Sequence, residues 1–180
     1  MEDPLLVARA VSANDTAAYG ELIRRHQSQV RTFLRRLARD ETIADDLAQD
    51  CFLHAWNKLH TYSGRGTFIG WLLRIAYTTF LQAHRSAKRY AQVVEQAGVD
   101  PASAATRHTR PVEDETDVER LLAVLTDEER AVIVMSYACG LSHREIGDAT
   151  GQPVGTVKSI IFRSKQKIRD RFDIEDHQHG

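Results

Sequence analysis

The stretch from Pro153 to Arg171 concentrates side chains that can bind phosphate. It holds one acid, Asp170, against six bases, which are Lys158, Arg163, Lys165, Lys167, Arg169 and Arg171. Ammonium and guanidinium groups neutralise nucleic-acid phosphates and release their condensed counterions. Because the whole chain has a formal net charge of only −1, this local basic patch indicates a local anionic partner. Taken alone, the run is equally well interpreted as a solvated helix face.

Two predicted helices and a tight turn would position this basic run. Ser142, with Glu145 three residues later, predicts a capped helix start, and Gly151 predicts the end of that helix in a left-handed conformation. Pro153 stands near the start of the next helix, where its missing N–H is not needed. This is a helix-turn-helix pattern, whose second helix enters the major groove of DNA. The combined pattern favours DNA binding over plain solvation.

The pattern also predicts how the motif packs and how it approaches DNA. Ile146 and Ala149 of the first helix should contact Val157 of the second. Small residues at the start of the second helix would let backbone amides and the Thr156 hydroxyl approach phosphates. Gly147 is unexpected inside a short helix, where glycine costs about 1 kcal/mol relative to alanine.

Helical periodicity also fills the first 90 residues. Asp15 is predicted to cap a helix that runs to Leu37, and Thr42 with Asp45 resembles a capping box with Asp in place of Glu. The sequence HTYSGRGT then breaks the periodicity before a helix predicted over residues 67–89. The segment between Thr42 and this break carries an apolar stripe that is predicted to face the core. Its members are Ile43, Leu47, Cys51, Phe52, Ala55, Trp56 and Leu59.

These elements predict an all-α protein of two small helical domains joined by a flexible linker. The first domain covers residues 1–90 and the second, with the helix-turn-helix, covers residues 118–175. The segment 91–117 contains glycine, prolines and the acidic cluster EDETD, which is typical of a linker. Residues 176–180 are predicted to be a disordered tail.

The sequence excludes several locations for the protein. No apolar run is long enough to cross a bilayer, and the N-terminal sequence MEDPLLVARA is acidic where a signal peptide would be basic. The two cysteines, Cys51 and Cys139, are far apart in the sequence and are interpreted as reduced thiols. A cytoplasmic protein is predicted.

No group of residues predicts catalysis or a cofactor. Cys51 with His54, or His177 with His179, could share a metal ion, but no set of four ligands has the spacing of a zinc site. The sequence SGRGTF lacks the lysine of a phosphate-binding loop, and no Ser/His/Asp signature is present. We expect a protein that is not an enzyme and has no metal, cofactor or small-molecule substrate.

Two long blocks resemble a known family. The sequence LTDEERAVIVMSYACGLSHREIGDATGQPVGTVKSIIFRSKQKIRDRF is similar to the C-terminal DNA-binding domain of bacterial sigma factors of the extracytoplasmic-function (ECF) group. The sequences DDLAQDCFLHAW and FIGWLLRIA are similar to the N-terminal domain of the same family, sigma region 2. The resemblance implies binding to core RNA polymerase and to promoter DNA, and control by an anti-sigma factor. It covers nearly all of residues 15–172.

The resemblance also implies three sets of site residues. The core-polymerase-binding positions are Asp46, Leu47, Gln49 and Asp50. The positions for recognising and melting the −10 element are Tyr62, Arg65, Trp71, Arg74, Thr78, Gln82 and Arg85. The positions for the −35 element, in sigma region 4, are Arg144, Val154, Thr156, Lys158, Ser159, Arg163 and Lys167.

Three positions depart from the family pattern. Thr78 and Gln82 stand where the family commonly has Asn and Asp, and Ile160 stands where it favours Arg. If Ile160 faced the groove, one guanine-reading side chain would be missing. The alternative function left open by the sequence is a stand-alone helix-turn-helix regulator with an N-terminal oligomerisation or sensing domain. Such a regulator would bind duplex DNA without polymerase.

Overall fold

The described structure, a computed structural model, covers residues 2–96 and 116–172. Within these ranges the predicted all-α class is confirmed. The helices are α1 Asp3–Ser12, α2 Thr16–Ala38, α3 Glu41–Lys58, a 3₁₀ turn Leu59–Thr61, α4 Phe68–Gln96, α5 Asp117–Ala123, α6 Asp127–Tyr137, α7 His143–Thr150 and α8 Val154–Phe172. None of the helices described here has the length and apolarity of a membrane span. The predicted tail lies outside the described residues.

Helices α1 to α4 pack around one apolar core. Leu22, Phe33 and Leu34 of α2 are fully buried, as are Leu72 and Leu73 of α4. Helix α1 was missing from the sequence prediction, because a ten-residue helix that begins with Asp-Pro has little periodicity to reveal it. It nevertheless buries one face against α2, so the N-terminal unit is a four-helix arrangement.

The predicted cap of α2 is confirmed, but the predicted cap of α3 is wrong. Asp15 accepts hydrogen bonds from the N–H groups of Ala17 and Ala18, as expected. Helix α3 is capped by Asp40, whose side chain accepts from the Ile43 N–H at 2.8 Å, and not by Thr42. Aspartate satisfies free N–H groups at a helix start and also suits the positive end of the helix dipole.

One member of the predicted apolar stripe of α3 faces solvent. Ile43, predicted to face the core, is 51% exposed. The other predicted members are buried or partly buried, and they are Leu47, Cys51, Phe52, Ala55, Trp56 and Leu59. Ala44 and Ala48, which the prediction omitted, are also buried, and these residues recur at three- and four-residue spacing.

Helix α4 extends beyond its predicted end at residue 89 and reaches Gln96. The predicted linker therefore begins inside the helix. Residues 90–96 contain no glycine or proline, and the first helix breaker is Gly98. Most of the predicted linker lies outside the described residues.

The C-terminal unit has three reciprocal caps. The two predicted pairs, Thr126 with Glu129 and Ser142 with Glu145, are both confirmed as capping boxes. Thr116 forms a third with Glu119, which the sequence prediction missed. In each box two N–H groups that the helix leaves free find side-chain oxygens, so the start of each short helix is fixed.

The turn between α7 and α8 explains the unexpected glycine. Gly151 ends α7 with φ +76°, as predicted. At Gly147, an added Cβ would lie 2.7 Å from the carbonyl oxygen of Gln152, closer than real Cβ contacts come. Glycine at this position is therefore required by the close approach of the turn, which outweighs its low helix propensity.

The two units are in contact. Helix α7 packs on α4, and α6 packs on α2.

Glu129 makes the C-terminal unit sensitive to acid. Burial alone would raise the pKa of Glu129, but hydrogen bonds from Lys167 and the Thr126 N–H outweigh it and hold the pKa below its ordinary 4.5. A carboxylate with a lowered folded pKa stabilises the fold above pH 4.5 and loses that contribution as the pH falls through the folded pKa.

We therefore expect the free energy of unfolding to drop as the pH falls below 4.5, and to drop less in Glu129→Gln. Glutamine keeps the capping-box geometry but has no proton to gain. Denaturant unfolding followed by circular dichroism at several pH values measures this. Equal acid sensitivity of the two proteins would contradict the assignment.

Candidate nucleic-acid and polymerase interfaces

The start of α8 presents a shallow, open groove. Thr156 is half-buried there, whereas Lys158 and Arg163 are exposed. The Ser159 hydroxyl, also exposed, donates to the Gly155 carbonyl oxygen at 3.0 Å. The complete lining is Pro153, Gly155, Thr156, Lys158, Ser159, Phe162 and Arg163. Four of the predicted −35 residues thus share one surface.

Phe162 is a member of this surface that the sequence prediction missed. Its side chain is 70% exposed, although phenylalanine is among the residues most often buried. Its position, four residues after Lys158 and three after Ser159, places it on their side of the helix. That spacing could have identified it from the sequence.

The two isoleucines of α8 face inward. Ile160 is 4% exposed and Ile161 is 7% exposed, beside the fully buried Val157. Ile160 therefore does not face the groove, and the family's arginine at this position is replaced by a core residue. The three residues predicted to pack between α7 and α8 are buried in the core, and they are Ile146, Ala149 and Val157.

Other predicted −35 residues lie at the edges of this surface. Arg144 on α7 is exposed, and Val154 at the start of α8 is 41% exposed. Lys167 is exposed, but its ammonium group lies 2.6 Å from a carboxylate oxygen of Glu129. An intramolecular ion pair holds Lys167 against α6, so any phosphate contact would compete with Glu129.

The predicted −10 loop is shaped by Tyr62. The Tyr62 hydroxyl donates to the carbonyl oxygen of Gly66 at 3.0 Å, across a turn in which Gly64 and Gly66 both have positive φ. Its ring packs edge-on against Phe68 and lies 5.7 Å from the Trp71 ring. Burial, followed by the charge of Asp3, raises the pKa of Tyr62. Tyr62 is therefore half-buried in a ring cluster, whereas Arg65 is exposed.

Helix α4 continues this surface with a polar stripe. Arg74, Thr78, Gln82 and Arg85 are all exposed and recur every three or four residues, which places them on one face. The Thr78 hydroxyl donates back to the Arg74 carbonyl oxygen at 2.9 Å. Trp71 is half-buried at the start of this stripe. The six predicted residues from Arg65 to Arg85 lie along one loop and helix.

A different surface occupies the outer side of α3. Asp46, Gln49 and Asp50 are exposed as predicted, but Leu47 is 5% exposed and packs in the core. Leu47 is therefore corrected from a contact residue to a residue that holds the helix in place. At the two ends of the acidic pair stand Ile43, 51% exposed, and Leu53, 64% exposed.

The exposed stripe formed by Ile43, Asp46, Asp50 and Leu53 has spacings of three, four and three residues. This spacing follows one side of a helix and is the pattern with which helices pack along one another. The neighbouring Asp45 already has an ion-pair partner in the same domain, since its carboxylate lies 2.7 Å from the Arg31 guanidinium group. The stripe is thus a surface with acidic residues between two apolar ones.

Burial disfavours the thiolate form of both cysteines. Burial raises the pKa of Cys51 to about 12 and that of Cys139 to about 11, so both remain protonated at neutral pH. Metals bind the thiolate. Within residues 2–96 and 116–172, no cluster of three or more His, Cys, Asp or Glu side chains is placed to hold a metal ion.

Known protein families match both parts of the chain that carry these surfaces. The family model for sigma-70 region 2 matches residues 22–90, and that for sigma-70 region 4 matches residues 115–168. The ECF RNA polymerase sigma factor SigE of Mycolicibacterium smegmatis is 31% identical over 176 residues, which is 94% of this chain and 68% of SigE. This chain belongs to the ECF sigma factors. SigC of Mycobacterium tuberculosis is 29% identical, over 93% of this chain and 91% of SigC.

Solved structures share the fold of this ECF sigma factor. CnrH, in complex with the cytosolic domain of CnrY, has a TM-score of 0.69 and 27% identity, over 95% of this chain and 97% of CnrH. RpoE from Bartonella quintana, in complex with the anti-sigma factor NepR, has a TM-score of 0.69 and 22% identity, over 87% of this chain and 98% of RpoE. The two matched sigma regions coincide with the two helical units described above.

In this ECF sigma factor, Tyr62→Phe should loosen the −10 loop without unfolding the domain. The change removes only the hydroxyl that closes the loop onto Gly66. Loss of one hydrogen bond worth about 1 kcal/mol corresponds to roughly fivefold faster exchange of the loop amides. Hydrogen–deuterium exchange measures this.

Tyr19→Phe is the matched control. It deletes a similar hydrogen bond, from the Tyr19 hydroxyl to the Phe52 carbonyl oxygen, on another part of the same unit. Faster exchange at residues 62–67 in Tyr62→Phe alone supports the loop role. Unchanged exchange there would show that the ring packing holds the loop by itself.

Proposed function

We propose that this chain is an alternative sigma factor that binds core RNA polymerase in the cytoplasm and directs it to one class of promoter. The observation that carries the proposal is the presence, in one chain matched by both sigma regions, of an acidic–apolar stripe on α3 and a basic groove on α8. A stand-alone regulator would account for the groove, but not for the match of one chain to both sigma regions. The protein is an initiation factor, and the chemistry of RNA synthesis belongs to the polymerase.

The α3 stripe suits a helical, basic partner surface. Asp46 and Asp50 supply charge at the centre, and Ile43 and Leu53 supply apolar contact at the ends. Charged groups at an interface mainly set specificity and the rate of encounter, whereas buried apolar groups supply affinity. We assign the stripe, together with Gln49, to core-polymerase binding.

The loop and the outer face of α4 suit partly single-stranded DNA. Arg65, Arg74 and Arg85 supply positive charge, and Trp71 supplies part of an aromatic surface at the start of the helix. Stacking and a positive surface are the usual means of holding single strands. We assign Tyr62 to shaping this site through the Gly66 carbonyl. Thr78 and Gln82 lie on the same face, so their departure from the family pattern should alter promoter preference.

The groove of α8 suits a duplex major groove. Lys158 and Arg163 can reach phosphates or base edges, while Thr156 and the helix start approach the backbone. Phe162 adds an apolar contact suited to a thymine methyl group. We assign this surface, with Arg144, to the −35 element.

We also propose control by an anti-sigma factor, the partner class expected from the family. The related CnrH structure contains a second chain, the cytosolic domain of CnrY. A partner that covers the α3 stripe or the α8 groove would block initiation by occupying the surfaces assigned above.

The polymerase assignment is tested by charge reversal on α3. We expect Asp46→Arg/Asp50→Arg to weaken binding to core RNA polymerase at least tenfold, because it replaces attraction with like-charge repulsion. Pull-down and titration with purified core enzyme measure this. Asp117→Arg, on α5, reverses one charge at another exposed position, which is half the change of charge in the double variant, and should leave binding unchanged.

Run-off transcription completes the same test. Transcripts from a responsive promoter should depend on adding the chain, and the double variant should lower them in parallel with binding. Unchanged polymerase binding in the double variant would show that the α3 stripe is not part of the polymerase interface. Tight operator binding by the chain alone, with no polymerase association, would favour the stand-alone regulator.

The DNA assignment predicts a change in salt dependence. For a random-sequence duplex, we expect Lys158→Ala to reduce the slope of log K against log salt by about 1, the contribution of a single phosphate contact. Fluorescence anisotropy at several salt concentrations measures this. Lys58→Ala removes the same charge from the end of α3 and should leave the slope unchanged. Equal slopes for wild type and Lys158→Ala would show that Lys158 does not contact a DNA phosphate.

A further inference from the structure

The first turn of α1 is tied to α2 by one carboxylate. One oxygen of Asp3 lies 2.8 Å from Nε2 of His26, and the other lies 3.2 Å from the Arg25 guanidinium group. An ionised carboxylate can only accept hydrogen bonds, so Nε2 of His26 carries a hydrogen and donates to Asp3. Leu6 and Val7, in the next turn of α1, are buried in the core. The start of α1 therefore has a polar attachment in addition to its apolar packing.

His26 also contacts the rings that pack under the −10 loop. The centroid of its ring lies 5.4 Å from that of Phe68, the first residue of α4. The Phe68 ring lies 5.5 Å from the Tyr62 ring and 5.4 Å from the Trp71 ring. These four rings, which we call the aromatic cluster, are thus in continuous contact. Ring pairs at such distances stabilise each other beyond the apolar area that they bury.

The second ring nitrogen of His26 shows what sets the position of the ring. Nδ1 is buried and has no hydrogen-bond partner among the described residues. Burying such a nitrogen without a partner costs free energy and is uncommon in folded proteins. The position of the ring is therefore set by Asp3 and Phe68, and not by a hydrogen bond to Nδ1.

Helix α1 also lies next to the start of the loop. It contacts the 3₁₀ turn Leu59–Thr61, which leads into the loop. The charge of Asp3 contributes, after burial, to the raised pKa of Tyr62, so the two side chains are close in space. The match to sigma region 2 begins at residue 22, so it does not include α1. A helix outside the matched region is therefore connected to the loop assigned to −10 DNA.

We propose that α1 positions the −10 loop for promoter opening, with Asp3 holding His26 against Phe68 and thereby keeping Tyr62 in place under the loop. The inference rests on the proposed function, which assigns this loop to −10 DNA. Asp3 and His26 are positioning residues, since they act through Phe68 and Tyr62. A site that is already held in its binding geometry pays less ordering free energy when it binds. Loss of the contact should therefore weaken strand opening, but not binding through α3 or α8.

Two substitutions break the contact from its two sides. His26→Phe keeps an aromatic ring against Phe68 but cannot donate to Asp3. Asp3→Ala removes the acceptor and leaves the His26 ring. Because both changes delete the same hydrogen bond, the double variant should be no worse than Asp3→Ala alone.

Arg9→Ala is the matched control on the same helix. It removes the ion pair in which the Arg9 guanidinium group lies 2.7 Å from the Asp15 carboxylate. Arg9 is six residues after Asp3, or about 9 Å along the helix. This variant also loosens the attachment of α1 to α2, but it leaves the contact between Asp3 and His26 in place.

Promoter opening is compared with binding by the same samples. The fluorescence of 2-aminopurine in the −10 element of a responsive promoter measures opening by the chain with core enzyme. We expect His26→Phe and Asp3→Ala to lower the ratio of open to closed promoter about fivefold, the change that loss of one hydrogen bond typically causes. Titrations with core enzyme and with a random-sequence duplex should give wild-type affinities. A variant that was only destabilised would lose binding and opening together.

Hydrogen–deuterium exchange of the free chain gives a second measurement that needs no promoter. Residues 62–67 should exchange about fivefold faster in His26→Phe and Asp3→Ala, with helix content unchanged by circular dichroism. Arg9→Ala should match wild type at these residues. Wild-type exchange of the loop in His26→Phe, or an equal effect of Arg9→Ala and Asp3→Ala, would overturn the proposal. So would a double variant in which the two effects add.

Failure of the positioning role can be told apart from failure of the proposed function. If wild type opens the promoter and His26→Phe opens it equally well, only the positioning role is wrong. If the loop of His26→Phe exchanges faster but opening does not depend on adding wild-type chain, the contact between α1 and the loop is supported and the sigma function is contradicted.

Discussion

Helix ends have N–H and C=O groups that the helix itself cannot satisfy, and this constraint governs much of the structure. Asp15, Asp40 and three capping boxes fix where helices begin. The same need brings the domains together, since Glu145 caps a helix start of the other domain and Arg130 reaches a helix end there. Side chains that define the local structure therefore also determine the tertiary arrangement.

The functional surfaces depend on how each helix is rotated about its own axis. Burying Ala44, Leu47 and Cys51 turns Asp46 and Asp50 toward solvent on α3. Burying Val157, Ile160 and Ile161 likewise turns Lys158, Phe162 and Arg163 outward on α8. In each case the core residues decide which side chains a partner can reach, and a substitution in the core would move the surface as well. This explains why Leu47 matters to the α3 surface although it is not part of it.

The two surfaces proposed to bind DNA are not equally accessible in this structure. The α8 groove is open, whereas α7 lies over the end of the −10 loop.

The sequence by itself determined the features that depend on neighbours along the chain. Periodicity predicted the described α-helices other than α1. The boxes at Thr126 and Ser142 and the turn at Gly151 were correct because their hydrogen bonds span only a few residues. It could not separate Asp40 from Thr42 as the cap of α3, since both residue types cap helices. Only the tertiary structure decided the exposure of Ile43, the need for glycine at position 147 and the second role of Glu145. Those depend on contacts between residues far apart in sequence, which no local pattern records.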